Sequence, residues 1–129
     1  GVHEFTYCLL PHKGHLTDSN VMAEGAMLNM GVTLFDDSGK PKYQVPCTIE
    51  SDGISMEVLK KAEKENCIVI RLVETKGHTS SGILKVNSPK AKLVETNLLE
   101  WTEGKTISAL KPLEIAMRPF EIRTYKIKM

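Results

Sequence analysis

The stretch CIVIRLVE, residues 67–74, constrains this chain more than any other. It is almost unbroken apolar sequence rich in β-branched side chains, which suits a central strand covered on both faces. Lys76-Gly77 follows as a turn signal, and SSGILKV resumes the strand pattern beyond it. Elsewhere apolar residues alternate with polar ones. In FTYCLL, Phe5, Tyr7 and Leu9 share one face and Glu4, Thr6 and Cys8 the other. Pro11 then ends the strand by removing a backbone donor. LEIAMRPFEIRTYKIKM reads as two strands divided by Arg118-Pro119, with Glu121, Arg123 and Tyr125 opposing Phe120, Ile122 and Thr124.

Further strands are expected at PCTIES, GISMEVLKKA, AKLVETNLLEW and KTISALK. In GISMEVLKKA the alternating Ile54, Met56 and Val58 set the reading, and EKEN is left as a loop. Asp52-Gly53, Ser88-Pro89 and Glu103-Gly104 supply turns, because Gly reaches positive φ without strain and Pro presets φ. Turns this closely spaced predict an all-β fold, an antiparallel β-sandwich with one short helix, spanning residues 1–129 as a single domain. The helix is NVMAEGAMLNM, capped by Ser19 or Asp18 and ended by Gly31. Gly25 inside it costs about 1 kcal/mol relative to Ala.

Acids and bases are mixed along the chain and the net charge is +1. Without a basic patch, phosphate neutralisation gives no drive toward nucleic acid. No apolar run approaches the roughly 20 residues that span a bilayer, so no membrane partner is expected. No basic segment followed by an apolar one opens the chain, so no signal peptide is read. Cys8, Cys47 and Cys67 stand far apart among apolar neighbours without a CxxC pair. They are expected to be reduced and buried, which suits a cytoplasmic protein.

Three histidines in the first fifteen residues raise the question of a metal or catalytic site. His12 and His15 span a turn, but a strand rising about 3.3 Å per residue would put His3 some 25 Å away. No HExxH and no second ligand pair accompany them, so no metal ligand and no zinc site is assigned in this chain. Ser80 and Ser81 lack a GxSxG elbow, and burial would dull Cys67 as a nucleophile. Arg71 and Glu74 flank the buried strand and are read as ion-pair partners of neighbouring side chains, with Glu100 equally unremarkable as an acid. No catalytic residue is assigned.

The order of several segments nevertheless resembles a known family. HEFTYCLLPHKG is similar to an H-x-F-x-Y-x-L-x-P-H-x-G segment in the C-terminal β region of glycoside hydrolase family 38 α-mannosidases. AMLNM resembles that family's A-x-x-L-N segment, IVIRLVETKG its R-L-x-E-x-x-G strand and turn, VETNLLEW a strand closing on L-L-E, and RPFEIRTYKI its P-F-E-I-x-T ending. The resemblance implies a parent enzyme that hydrolyses terminal α-mannosides with retention, using a divalent metal, usually zinc. In that family the nucleophile and zinc ligands lie in earlier domains, and none of those motifs occurs here. The chain is thus expected to be a C-terminal β-sandwich fragment of a multidomain glycosidase, partnered by upstream catalytic and helical domains, with homo-oligomerisation left open. His3, Phe5, Tyr7 and His12 fall in a family segment, so they are the residues expected to reach the substrate, if any here do. For Phe5 and Tyr7 the competing reading is a place in the sandwich core. The alternative to a structural role is an independent carbohydrate-binding module, for which Trp101, the single Trp, would be the platform at a strand end.

Overall fold

The computed structural model describes residues 1–30, 34 and 45–129. The chain divides into two units, Gly1–Asp37 and Ser38–Met129.

In the first unit a 3-10 turn, Leu16–Asp18, leads into helix α1, Val21–Met30. The Ser19 hydroxyl, one of the two expected caps, accepts the Val21 N–H at 3.3 Å and donates to Leu16 O at 2.7 Å. The expected stop at Gly31 lies outside the described residues. The FTYCLL strand does not form: residues 1–12 carry no regular structure, and Phe5 and Tyr7 are each 81% exposed rather than in a core. Cys8 is likewise exposed, not buried. A strand needs a hydrogen-bonded neighbour and a cover for its apolar face. The described residues provide neither.

The second unit holds β1 (Cys47–Ser51), β2 (Ile54–Lys61), β3 (Ile68–Glu74), β4 (Ser80–Val86), β5 (Lys92–Thr96), β6 (Glu103–Ser108), β7 (Leu113–Met117) and β8 (Ile122–Lys128). They form two antiparallel sheets, ordered β1-β4-β7 and β2-β3-β8-β5-β6. Ile70, Leu72, Leu93, Tyr125 and Ile127 of the larger sheet share one core with Cys47, Leu84, Ile115 and Met117 of the smaller. The all-β sandwich follows from this two-layer burial. As its composition predicts, β3 is flanked on both edges, with Val69 on one face and Ile70 and Leu72 on the other all buried. Both faces of β8 are covered too, so Thr124, Tyr125, Lys126 and Ile127 are all buried.

Two bulges depart from the sequence reading, and both shape one face of the larger sheet. In β2 the register slips between Met56, opposite Leu72, and Val58, opposite Arg71. Directly paired residues share a face, so Val58 and Lys60 lie on the outer face while Ile54 and Met56 point to the core. In β6 Thr96 faces Glu103 but Val94 faces Thr106, leaving one extra residue beside Gly104. Glu103-Gly104 is therefore a bulge inside a strand and not the predicted turn, the alternative meaning of a lone Gly in a strand pattern. The turn falls earlier, at residues 97–101, so Leu98, Leu99 and Trp101 leave the sheet.

Candidate functional site

Two regions of the second unit gather polar side chains. The first is a corner where the crossings β1–β2, β3–β4 and β7–β8 meet at the fully buried Glu74. Oε1 accepts the Lys76 N–H at 2.9 Å and the Ser80 hydroxyl at 2.9 Å. Oε2 accepts the N–H groups of Gly77 at 2.8 Å and Phe120 at 2.9 Å. Burial alone would raise this carboxyl's pKa, but the donors outweigh it and hold the group at about 2, below its ordinary 4.5. The expected ion pair is thus corrected: Glu74 is satisfied by backbone N–H groups and one hydroxyl. Arg71 likewise donates to Thr124 Oγ1 at 3.3 Å and Leu98 O at 3.1 Å. Gly77 turns the chain here at φ +74°, a conformation that excludes most side chains, and a Cβ on it would stand 2.5 Å from the Phe120 ring.

His78 Nδ1 lies 3.2 Å from Ser80 Oγ, and Glu74 is beside both. The three do not make a nucleophilic relay. In such a relay the acid orients the His and the His takes the hydroxyl proton, whereas here the buried Ser80 gives its hydrogen to Glu74 itself. The corner is a structural tie.

The second region is a cleft of about 340 Å³ on the outer face of the larger sheet. The β2–β3 loop and the β5–β6 turn wall it, and Arg71 and Lys126 lie among its lining. Glu100, in the left-handed region at φ 64°, meets Lys60 at 2.7 Å. Trp101 is 66% exposed, as expected, but in the connection between β5 and β6 and not at the end of the expected strand, with Lys64 Nζ 4.6 Å from the ring centroid. The two bulges put Lys60 and Glu103 on this face. Lys126 is only 2% exposed and pairs with Glu65 at 2.5 Å and Glu103 at 3.4 Å, and Lys128 pairs with both acids. The bond to Glu65, more than that to Glu103, raises the Lys126 ammonium above its ordinary pKa against the pull of burial.

Removing one partner of a buried pair is costly when it strands a buried charge, but here Glu65 and Glu103 are 38% and 41% exposed and both keep Lys128. Lys126→Met, with Lys128 left to face the two acids, is expected to change stability by less than about 1 kcal/mol. Urea unfolding at pH 7 measures it, and a larger loss would assign the cluster a stabilising role.

The residues singled out for substrate contact, His3, Phe5, Tyr7 and His12, are exposed in the first unit. Phe5 and Tyr7 stack with ring centroids 6.1 Å apart. Nearby, Cys8, Leu9 and Leu10 line an apolar groove with Val21, Met27 and Leu28 of α1. Among the described residues no His, Cys, Asp and Glu side chains gather as a group able to hold a metal ion. The zinc implied for a parent enzyme therefore has no fitting ligand set among them. Burial pushes the Cys47 and Cys67 thiols up, with Glu65 adding to it at Cys67, so neither is an activated nucleophile. No helix among the described residues is long and apolar enough to cross a membrane.

Sequence reasoning missed both polar assemblies, though the residues of three family-like segments build them. Glu74 and Gly77 come from R-L-x-E-x-x-G, Phe120 and Thr124 from P-F-E-I-x-T, and Leu98 and Glu100 from the segment closing on L-L-E.

Comparison with known proteins agrees. Alpha-mannosidase G of Dictyostelium discoideum is 29% identical over 140 residues, covering 98% of this chain and 12% of that protein. Alpha-mannosidase 2C1 is 27% identical over 131 residues in Mus musculus and 29% over 129 residues in Homo sapiens, covering 96% and 95% of this chain. Those alignments take in 13% and 12% of the two proteins, so the chain spans about an eighth of the length of the curated relatives it matches. Residues 53–125 match the family described as the glycosyl hydrolases family 38 C-terminal beta sandwich domain. That match covers more than half of the chain and the whole Glu74 corner, and the chain belongs to this family.

Proposed function

We propose that the chain is the structural β-sandwich portion of a longer α-mannosidase, one that hydrolyses terminal α-mannosides with a divalent metal held outside these residues. Its role is assembly: it packs on catalytic and helical domains and supplies no nucleophile. The observation that carries this reading is the apolar surface of the first unit. Phe5, Tyr7, Leu9, Met22, Met27 and Met30 are all more than half exposed, and α1 buries none of its residues. So many large apolar side chains exposed on so short a unit mark surface made to be covered. The short span relative to the α-mannosidases supports a cover drawn from the remainder of a longer protein. Free thiols at Cys8, Cys47 and Cys67 support a cytoplasmic setting.

The purified chain is expected to release no nitrophenol from 4-nitrophenyl α-mannoside above the buffer rate, with or without added Zn²⁺. A retaining mechanism needs two carboxyls about 5–5.5 Å apart flanking the scissile bond. Glu74, the one buried acid among the described residues, has both oxygens committed to donors. Turnover by the chain alone, abolished by an active-site inhibitor, would overturn the reading.

A further inference from the structure

We propose that the cleft on the outer face of the larger sheet binds a single neutral pyranose, with Trp101 as its stacking platform. The volume of about 340 Å³ lies at the low end for small-molecule pockets, enough for one ring and too small for a long chain. Trp101 offers an exposed apolar face, and Lys64 against the indole limits the positions the ring adopts. The CH-rich face of a pyranose matches such a surface.

The polar lining selects the rest of the ligand. Lys60 is matched by Glu100, and Lys126 by Glu65 and Glu103, so most of the fixed charge is compensated within the protein. An anion would meet these carboxylates, and an apolar ligand would strip water from charges it cannot replace. Hydroxyl groups can do both jobs, donating to a carboxylate and accepting from a cation. Arg71 is held at the cleft by Thr124 and Leu98 O, which use two of its five N–H donors. Arg71 is only half-buried and lines the cleft, so it has donors left for a ligand. Glu100 holds a left-handed backbone conformation that L residues rarely adopt, and in it the carboxylate reaches Lys60 on the cleft wall.

The site does not use the first unit and does not depend on catalysis elsewhere, so its failure would leave the proposed structural role standing. Because Trp101 is the single Trp, its fluorescence reports on this cleft alone. The chain is titrated with methyl α-mannoside and methyl α-glucoside, followed by Trp emission and by amide and indole N–H shifts. Saturating changes at Trp101, Arg71 and residues 98–100 are expected with at least one sugar. Trp101→Ala, read by amide shifts, is expected to weaken binding at least tenfold while keeping the spectrum of a folded chain. Glu100→Gln tests the polar side and is expected to weaken it at least threefold. Absence of saturable change with both sugars, or unchanged affinity in Trp101→Ala, would overturn the proposal. So would the same residues responding to inorganic phosphate and not to sugar, which would make the cleft an anion site.

Discussion

A chain carrying Glu74→Ala is expected to melt roughly 15 °C or more below the unsubstituted chain, because three backbone N–H groups and one hydroxyl lose their acceptor in a buried corner. Glu74→Gln separates charge from shape. Its amide oxygen accepts from one side, but its NH₂ group confronts donors on the other, so a smaller loss is expected at pH 7. The sign of the pH effect follows from the carboxyl being held at about 2 against an ordinary 4.5. A depressed folded-state pKa contributes stability that is present above 4.5 and is lost as pH falls toward 2. Thermal melts of the two proteins from pH 7 to pH 2 should therefore converge, with the gap closing between about 4.5 and about 2. Other carboxylates, such as Glu121 beside Arg123, also weaken in acid, so the difference between proteins is the measurement. A constant gap across that range would show that the charge of Glu74 contributes nothing.

The same corner leaves Gly53 little room for a methyl group. A Cβ there would lie 2.9 Å from Ser80 Cβ, closer still to its Oγ, and 3.3 Å from Glu74 Oε1. Ser80 and Glu74 are both buried, so the strain cannot escape toward solvent. Overpacking of about 1–3 kcal/mol plus a lost hydrogen bond of about 1 puts Gly53→Ala at about 3 kcal/mol. Ser80→Gly removes the opposing atoms. In that background Gly53→Ala should cost under about 1 kcal/mol, a coupling that urea unfolding of the four proteins would resolve. Equal penalties in both backgrounds would place the strain elsewhere.

These ties also show which parts of the fold were legible in the sequence. CIVIRLVE could be placed in the interior because two-sided burial leaves a local signature, a run without polar breaks. FTYCLL carries an equally plain signature and forms no strand. Alternation states which face would be buried, but pairing depends on a partner distant in sequence. The bulges in β2 and β6 escaped for the same reason, since each is a mismatch between two strands and exists in neither alone. Gly104 signals a turn and a bulge alike, and only its pairing with β5 decides between them. At the corner, Glu74 was visible as an acid ending a buried strand ahead of a Lys-Gly turn. That the turn's own N–H groups would satisfy it could have been read there. That Phe120 would join them, 46 residues onward, could not. The cleft was half visible: the exposure of Trp101 was foreseen, while its opposite wall comes from a loop far away in sequence.

The strand order has a consequence for how this protein is made. In the larger sheet β8 sits between β3 and β5, although it is the last of the eight described strands to leave the ribosome. Until it arrives, β2–β3 and β5–β6 stand as separate hairpins, each with a long unpaired edge. Synthesis therefore holds these hairpins apart until β8 has left the ribosome, and a ribosome stalled in β8 would leave a gap through the middle of the sheet. Such products are natural substrates for chaperones and for the degradation of incomplete chains.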